Sequence, residues 1–314
     1  MTEVRKGAGE KPRVLVISGP TASGKSGLAV RLAGRRNGEI ISADSMQVYR
    51  GMDIGTAKIR PEEMQGIPHH MIDIYDPAET CSVADYKEAA SRCLQEILER
   101  GHLPVIVGGT GFYIHALLYD TDFSGQEDTE RIREELEKIR QTRGPEVLWQ
   151  MLQASDPASA AAIHPNNVKR VMRALEFLHT TGGRISEHNE EQRKKESPYD
   201  FIYLAIRRDR QELYRDIDRR VDLMMEEGLA EEVRRLVQAG CRPDMVSMQA
   251  IGYKQLLAWM DGRCSLEEAV DAVKKESRHY AKRQMTWLRR EQNITWIDGP
   301  SLEEAESVME KLWK

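Results

Sequence analysis

An eight-residue segment near the N-terminus, GPTASGKS, has the residue types and spacing of a phosphate-binding loop. Its members are Gly19, Pro20, Thr21, Ala22, Ser23, Gly24, Lys25 and Ser26. The glycines let backbone N–H groups converge on phosphate oxygens, and a helix that follows adds positive potential at its N-terminus. Lys25 supplies a positive charge, and Ser26 supplies a hydroxyl that can bind Mg²⁺. The segment predicts a site for a phosphorylated ligand with Mg²⁺ but does not indicate which ligand.

A second feature of nucleoside triphosphatases is missing. Such proteins usually have an aspartate at the end of another buried strand, where it holds Mg²⁺. Here the buried run LPVIVGGTG, residues 103–111, has no acidic residue, and the acid that ends a predicted strand is Asp44. This departure disfavours nucleotide hydrolysis and favours a reaction on another substrate.

Asp44 and Thr110 follow two predicted strands, GEIISA and LPVIVGG. Because the carboxyl ends of parallel strands meet at one edge of a sheet, we expect both side chains to lie near the bound phosphates. Asp44 could act as a general base, bind magnesium, or cap a turn, and the residue pattern leaves all three open. Thr110 could donate a hydrogen bond to a substrate or cap the next helix.

The elements that must position these residues alternate between strands and helices. The predicted strands are at residues 13–18, 38–43, 103–109, 201–206 and 294–297. One predicted helix begins after residue 24, and another can begin in the segment at 110–118. Others span 82–101, 211–227 and 229–239, and a long one runs from the cap Ser265 to about Arg290. This order predicts an α/β fold, a parallel sheet flanked by helices as in P-loop NTPases.

Residues 120–200 have a different, purely helical pattern. Three segments, at 128–141, 145–154 and 166–179, have apolar residues at helical spacing, and no segment has the pattern of a strand. We interpret residues 120–200 as a helical insertion into a core made of residues 1–119 and 201–314.

Composition indicates an ordinary globular chain. Of 314 residues, 40% are hydrophobic and 31% charged, and no apolar run is long enough for a membrane helix or a signal peptide. We therefore expect a cytoplasmic protein without a membrane partner. The four cysteines lack metal-site spacing and are expected to be free thiols, and the adjacent His69 and His70 are expected to be structural.

The charge is unevenly distributed. The net charge of −5 argues weakly against nucleic acid binding, yet residues 274–290 contain seven basic residues and one acidic residue. Val273, Tyr280 and Trp287 recur every seven residues and are expected to face the core. A second stripe is basic and comprises Lys275, Arg278, Lys282 and Arg289. A stripe of one sign suits phosphate contacts, although a solvated face has a similar composition.

Seven segments occur in an order that is similar to a known family. They are GPTASGKS, ISADSMQVYRGMDIGTAK, PHHMIDI, VGGTGFY, IHPNNVKRVMRALE, MQAIGYKQ and YAKRQMTWLRR. Together they resemble the bacterial tRNA dimethylallyltransferase (tRNA isopentenyltransferase) family from about residue 14 to about residue 298.

The resemblance implies a prenyl transfer. The phosphate loop would hold the diphosphate of dimethylallyl diphosphate rather than ATP, with Arg220 on the same diphosphate and Mg²⁺ as cofactor. The acceptor would be the exocyclic amine of the adenosine 3′ of the anticodon, in tRNAs that read codons beginning with U. Asp44 matches the family's catalytic aspartate, and Thr110 matches a threonine near the reacting amine. The adenosine would flip out of the stacked loop to react.

The resemblance also implies a surface for the tRNA anticodon stem-loop, to which the insertion and the long basic helix would contribute. The implied contacts are Asp44, Ser45, Met46, Gln47, Thr110, Lys169, Arg170, Arg173, Gly252, Tyr253, Lys254, Arg278, Lys282, Arg283, Gln284 and Arg289.

Three other functions fit part of the sequence: a small-molecule or nucleotide kinase, a nucleotide switch that binds RNA, and a prenyltransferase for free adenine nucleotides. The missing strand-end acid disfavours the switch. The basic helix disfavours the other two, because a small acceptor does not require it.

Overall fold

Six parallel strands form one sheet in the computed structural model, which describes residues 11–123 and 130–314. The strands are β1 (Arg13–Ser18), β2 (Gly38–Ala43), β3 (His69–His70), β4 (Leu103–Gly108), β5 (Asp200–Arg207) and β6 (Ile294–Asp298). Their order in the sheet is β3-β2-β4-β1-β5-β6, and each pairing is parallel. The predicted α/β fold with a parallel sheet is confirmed.

Besides one 3₁₀-helix at Ser247–Gln249, α-helices connect the strands in the described residues. In chain order they are α1 (Lys25–Arg35), α2 (Val83–Glu99), α3 (Gly111–Leu118), α4 (Glu130–Arg143), α5 (Pro145–Ser155), α6 (Pro157–Ala162), α7 (Val168–Thr181), α8 (Ile185–Lys194), α9 (Arg210–Glu226), α10 (Leu229–Gln238), α11 (Tyr253–Met260), α12 (Leu266–Leu288) and α13 (Leu302–Leu312). None of these described helices is long and apolar enough to cross a membrane.

The central strands are buried on both faces. Residues 14–17 of β1 have no exposed surface, as the β-branched run of this strand predicts. Leu28 and Leu32 of α1 pack in the same cluster as Leu15 and Val105. Full burial of each such side chain stabilises the fold by about 1.5–3 kcal/mol. This packing holds α1, and with it the phosphate loop, against the sheet.

The chain divides into two compact units. One contains the described residues up to Leu118 and those from Pro198 onward, including the sheet, and the other contains those of 119–197. The second unit has its own apolar core, to which Leu148, Leu152 and Leu175 contribute, and a buried carboxylate, Asp156, that accepts hydrogen bonds from Ser159 and Ser186.

The elements that the sequence did not predict are mostly short. β3 has only two residues and shows no periodicity, and α6, α8, α11 and α13 were not expected. Each of the five predicted strands is present to within two residues of its predicted ends. The helix expected at 128–141 corresponds to α4, Glu130–Arg143, and residues 128 and 129 of that expectation lie outside the described part of the chain.

Candidate active site

The segment between β1 and α1 forms an anion cradle. Ala22 and Gly24 have positive φ angles of 62° and 82°, which turn successive N–H groups towards one side. Within the described residues, the N–H groups of Ala22, Gly24, Lys25 and Ser26 have no hydrogen-bond acceptor. Several converging donors without acceptors, at the start of a helix, suit a bound phosphate group.

Gln284 of α12 braces this loop. Its Oε1 accepts a hydrogen bond from the Thr21 N–H at 2.9 Å, and its Nε2 donates to the Gly109 carbonyl at 3.1 Å. A Cβ at Gly109 would lie 2.0 Å from that Nε2, so glycine is required for this approach. The sequence did not predict this role for Gln284, and its contact with tRNA stays a prediction.

We expect Gln284→Leu to weaken pyrophosphate binding about tenfold. The substitution leaves the Thr21 N–H and the Gly109 carbonyl without their partner, and each unpaired buried polar group costs about 1–3 kcal/mol. Calorimetric titration with pyrophosphate and Mg²⁺ measures the effect. The control is Gln255→Leu, which removes a similarly buried amide that accepts from the Gly252 N–H. Equal affinities for both variants would contradict a specific role for Gln284.

Three charged side chains line one cleft beside the cradle: Lys25, Asp44 and Arg220. The Arg220 guanidinium also donates to the Thr21 hydroxyl at 3.3 Å. Burial, followed by the Arg220 charge, lowers the pKa of Lys25 to about 8, while the Asp44 carboxylate opposes the shift. Burial likewise lowers the pKa of Arg220. Two poorly solvated cations against one carboxylate favour the binding of a further anion.

Pyrophosphate binding is expected to weaken as the pH rises through about 8. Below this pKa, Lys25 is already protonated, whereas above it the protein must take up a proton on binding, which costs about tenfold in affinity per pH unit. Pyrophosphate titrations between about pH 7 and 9.5 measure the slope. Lys25→Arg is the control, because its guanidinium stays charged throughout. The same slope in both proteins would contradict the assignment.

Asp44 has one of the roles that the sequence left open, that of a turn residue. Its Oδ1 accepts hydrogen bonds from the Met46 N–H at 2.9 Å and the Gln47 N–H at 3.4 Å, which is the pattern of a turn aspartate. No hydrogen bond to its Oδ2 is found among the described residues. One oxygen therefore shapes the loop, and the other can serve a ligand in the cleft.

Thr110 lies against the same loop. Its Oγ1 accepts from the Ser45 N–H at 3.1 Å, which leaves the hydroxyl hydrogen able to donate. The Tyr280 phenol interacts with Thr110 and lines the cleft, so the prediction that Tyr280 faces the core is wrong. Val273 does lie in the core, with 2% of its surface exposed. The seven-residue spacing did not distinguish the core from the cleft, because both lie on the inner side of α12.

Two of the residues expected to touch tRNA form side-chain hydrogen bonds within the protein. Tyr253 is fully buried, and its phenol donates to the Glu232 carboxylate at 2.6 Å, so the predicted contact of its side chain with tRNA is wrong. Gln47 lines the cleft, accepts from the Ser42 hydroxyl at 3.0 Å and donates to the carbonyl of Thr56 at 3.3 Å. Its role towards tRNA stays a prediction.

The basic part of α12 is partly neutralised by α9. Arg278 forms an ion pair with Asp218, and Lys274 pairs with Asp222 at 2.6 Å. The sequence pattern of α12 alone did not show these partners. The other three cations of the basic stripe, Lys275, Lys282 and Arg289, are exposed, and so is Arg283. Lys254 of α11 is also exposed, whereas Gly252 is buried at a positive φ of 97°.

The second unit has its own exposed cations. Lys169 and Arg170 are exposed near the start of α7, and Arg173 is half-buried one turn later. No ion pair of these three side chains is found in the part of the chain that the structure describes.

The cleft suits a magnesium ion that takes most of its coordinating oxygens from a bound phosphate group and from water. No group of three or more His, Cys, Asp or Glu side chains in residues 11–123 and 130–314 could enclose a metal. The Ser26 hydroxyl and the Asp44 carboxylate both line the cleft beside the cradle. Magnesium commonly takes one or two protein oxygens and completes its shell with phosphate oxygens and water, so these residues fit it.

A phosphate loop after the first strand of a parallel sheet, with a carboxylate lining the same cleft, defines a P-loop-type α/β protein whose loop suits a phosphate group. The family model described as IPP transferase matches residues 47–291. The chain belongs to the IPP transferase family.

Relatives and solved structures agree with this membership. The chain is 48% identical over 301 residues to a tRNA dimethylallyltransferase of Lachnoclostridium phytofermentans, covering 96% of each chain. It is 50% identical over 288 residues to that of Bacillus subtilis, covering 92% of this chain and 91% of the relative. The fold matches a tRNA isopentenylpyrophosphate transferase from Bacillus halodurans with a TM-score of 0.72 and 46% identity, covering 97% of each chain. It matches a eukaryotic dimethylallyltransferase acting on tRNA with a TM-score of 0.82 and 31% identity, covering 95% of this chain and 78% of that one.

Proposed function

We propose that this protein transfers the dimethylallyl group of dimethylallyl diphosphate to a tRNA and releases diphosphate. The acceptor is the exocyclic amine of the adenosine 3′ of the anticodon, in tRNAs that read codons beginning with U. The observation that carries the proposal is the Asp44 carboxylate in one cleft with the phosphate-loop residues Lys25 and Ser26, in a chain 48% identical to a tRNA dimethylallyltransferase over nearly its whole length. Because the acceptor is a tRNA, we also place the activity in the cytoplasm.

The donor's diphosphate is held by the loop amides, Lys25 and Arg220. When the bond between the allylic carbon and the diphosphate oxygen breaks, negative charge grows on that oxygen. Donors that already point at this oxygen stabilise the charge as it develops. The Ser26 hydroxyl would hold Mg²⁺, which would supply further neutralisation of the leaving group's charge. Thr21 and Gln284 hold the loop and Arg220 in place for this step.

The acceptor amine lies on the Asp44 side of the cleft. An aromatic amine is a weak nucleophile, so it loses a proton as its bond to the allylic carbon forms, and Asp44 accepts that proton through Oδ2. Thr110 donates its hydroxyl hydrogen near the same amine. The Asp44 Oδ1 keeps its two backbone hydrogen bonds throughout, which holds the carboxylate in one orientation.

The anticodon stem-loop is bound through its phosphates. Exposed cations of α11 and α12 contribute, and Lys169, Arg170 and Arg173 of the second unit make further contacts. Phosphate contacts of this kind position the RNA without reading its sequence. The residues around the cleft, Ser45, Met46 and Gln47, contact the flipped adenosine and its neighbours.

The proposal is tested with labelled dimethylallyl diphosphate, Mg²⁺ and unmodified tRNA. The expected result is label in the tRNA and release of diphosphate. Label in free AMP or ATP with unlabelled tRNA would overturn the proposal. Consumption of ATP without a prenyl donor would instead indicate a kinase.

A further inference from the structure

A buried carboxylate outside the cradle accepts four hydrogen bonds. Glu232 of α10 is 1% exposed. Its Oε2 accepts from the N–H groups of Asp53 at 3.0 Å and Ile54 at 2.8 Å. Its Oε1 accepts from the N–H of Gly55 at 3.1 Å and from the Tyr253 phenol at 2.6 Å. Four donors on one buried carboxylate make up for the water that it loses.

These bonds fasten the segment of residues 52–58, MDIGTAK, which we call the 52–58 loop. Three successive N–H groups of the loop point at Glu232, as they would at a bound anion. Gly55 packs against the Tyr253 ring so closely that a Cβ would lie 2.5 Å from it. Burial and the Glu232 carboxylate raise the pKa of the Tyr253 phenol, which keeps it a hydrogen-bond donor.

The 52–58 loop in turn forms a wall of the cleft. Thr56 and Ala57 line the cleft together with Gln47 and Asp44. The carbonyls of Thr56 and Ala57 accept from the Gln47 Nε2 at 3.3 and 3.4 Å. Hydrogen bonds through the 52–58 loop therefore connect Glu232 to the Gln47 side chain, which lines the cleft together with Asp44. The cradle amides, Lys25 and the Thr21–Arg220 contact are not part of this set.

We propose that Glu232 is a positioning residue for the acceptor adenosine, which acts by holding the 52–58 loop and, through it, the Gln47 amide. The inference rests on the proposed function. It predicts that Glu232 affects the reaction of the RNA acceptor and does not affect the binding of the diphosphate. A small misplacement of a substrate-positioning group can cost about 10- to 100-fold in rate, even from a residue that touches no substrate.

Glu232→Gln tests this role with little change of volume. The amide has one acceptor oxygen, and its NH₂ group would face N–H donors that need an acceptor. We expect kcat/KM for an anticodon stem-loop RNA to fall about 10- to 100-fold, while the inhibition constant of pyrophosphate changes less than about twofold. Tyr253→Phe removes one of the four bonds and keeps the three to the loop, so its effect should be about threefold or less.

Glu39→Gln is the matched control for loss of stability alone. Glu39 is 3% exposed and also carries several hydrogen bonds, from Arg100, His70 and His102. It lies near the start of β2, at the opposite end of that strand from Asp44. Both variants should lose thermal stability, and all rates are measured well below either melting temperature.

The outcomes separate the two proposals. Label transfer by the wild-type protein with a selective loss of kcat/KM in Glu232→Gln supports the inference. An active wild type with Glu232→Gln and Glu39→Gln equally destabilised and equally active would overturn the inference alone. A wild-type protein that does not label the RNA would overturn the proposed function and this inference with it.

Discussion

Asp44→Asn is expected to lower kcat for prenyl transfer by about 10²- to 10⁴-fold, the usual contribution of a general base. Asparagine keeps an oxygen where Oδ1 accepts from the N–H groups of Met46 and Gln47, so the turn should persist. What it removes is the negative oxygen that takes the proton from the amine. Single-turnover rates with saturating donor and RNA measure the loss, and the melting temperature should change little.

A matched control for this variant lies after another strand of the sheet. Asp209 has the same local pattern, since its Oδ1 accepts from the N–H groups of Gln211 at 2.8 Å and Glu212 at 3.0 Å. Asp209→Asn should leave the transfer rate within about twofold of wild type, because asparagine caps a helix about as well as aspartate and residue 209 does not line the cleft. If excess Mg²⁺ restored the activity of Asp44→Asn, Asp44 would be a magnesium ligand and not the base.

Lys25→Met is expected to lower kcat/KM for the diphosphate donor by about 10²- to 10³-fold, as loss of one well-placed donor to a developing anion does. Methionine is of similar length and has no charge. Steady-state kinetics at varied donor concentration measure the effect, and Lys25→Arg should retain more activity because it keeps the positive charge.

The same substitution should not destabilise the free protein. The pKa of Lys25 is lowered from 10.5 to about 8, so the folded state disfavours its charged form. Between these values the folded protein binds fewer protons than the unfolded chain, and stability rises with pH over that window. Lys25→Met should therefore unfold at the same temperature or higher at neutral pH. A fall in both activity and stability would indicate misfolding and contradict this account of Lys25.

Local patterns predicted the parts of the site that follow strands. The glycine-rich loop, Asp44 and Thr110 each lie just beyond a buried run, and parallel pairing brings such positions together. The predicted strands were found for the same reason, because their β-branched runs are buried on both faces.

Contacts between distant parts of the chain could not be predicted in this way. Gln284 and Thr21 are 263 residues apart, and Glu232 and Gly55 are 177 apart. A buried glutamine or glutamate has no periodicity that reveals its partner. The pairing of Arg278 with Asp218 likewise depends on how α9 packs on α12, which neither helix's own pattern specifies.

The central claim is that Asp44 acts with the diphosphate cradle to prenylate one adenosine of a tRNA. The most direct measurement compares two unmodified anticodon stem-loop RNAs, one with adenosine 3′ of the anticodon and one with guanosine at that position. Each is incubated with dimethylallyl diphosphate and Mg²⁺, digested to nucleosides and analysed by mass spectrometry. Prenylated adenosine should form from the first RNA only, and about 10²- to 10⁴-fold more slowly with Asp44→Asn. Prenylation of both RNAs, of neither, or at an equal rate with Asp44→Asn would contradict the account.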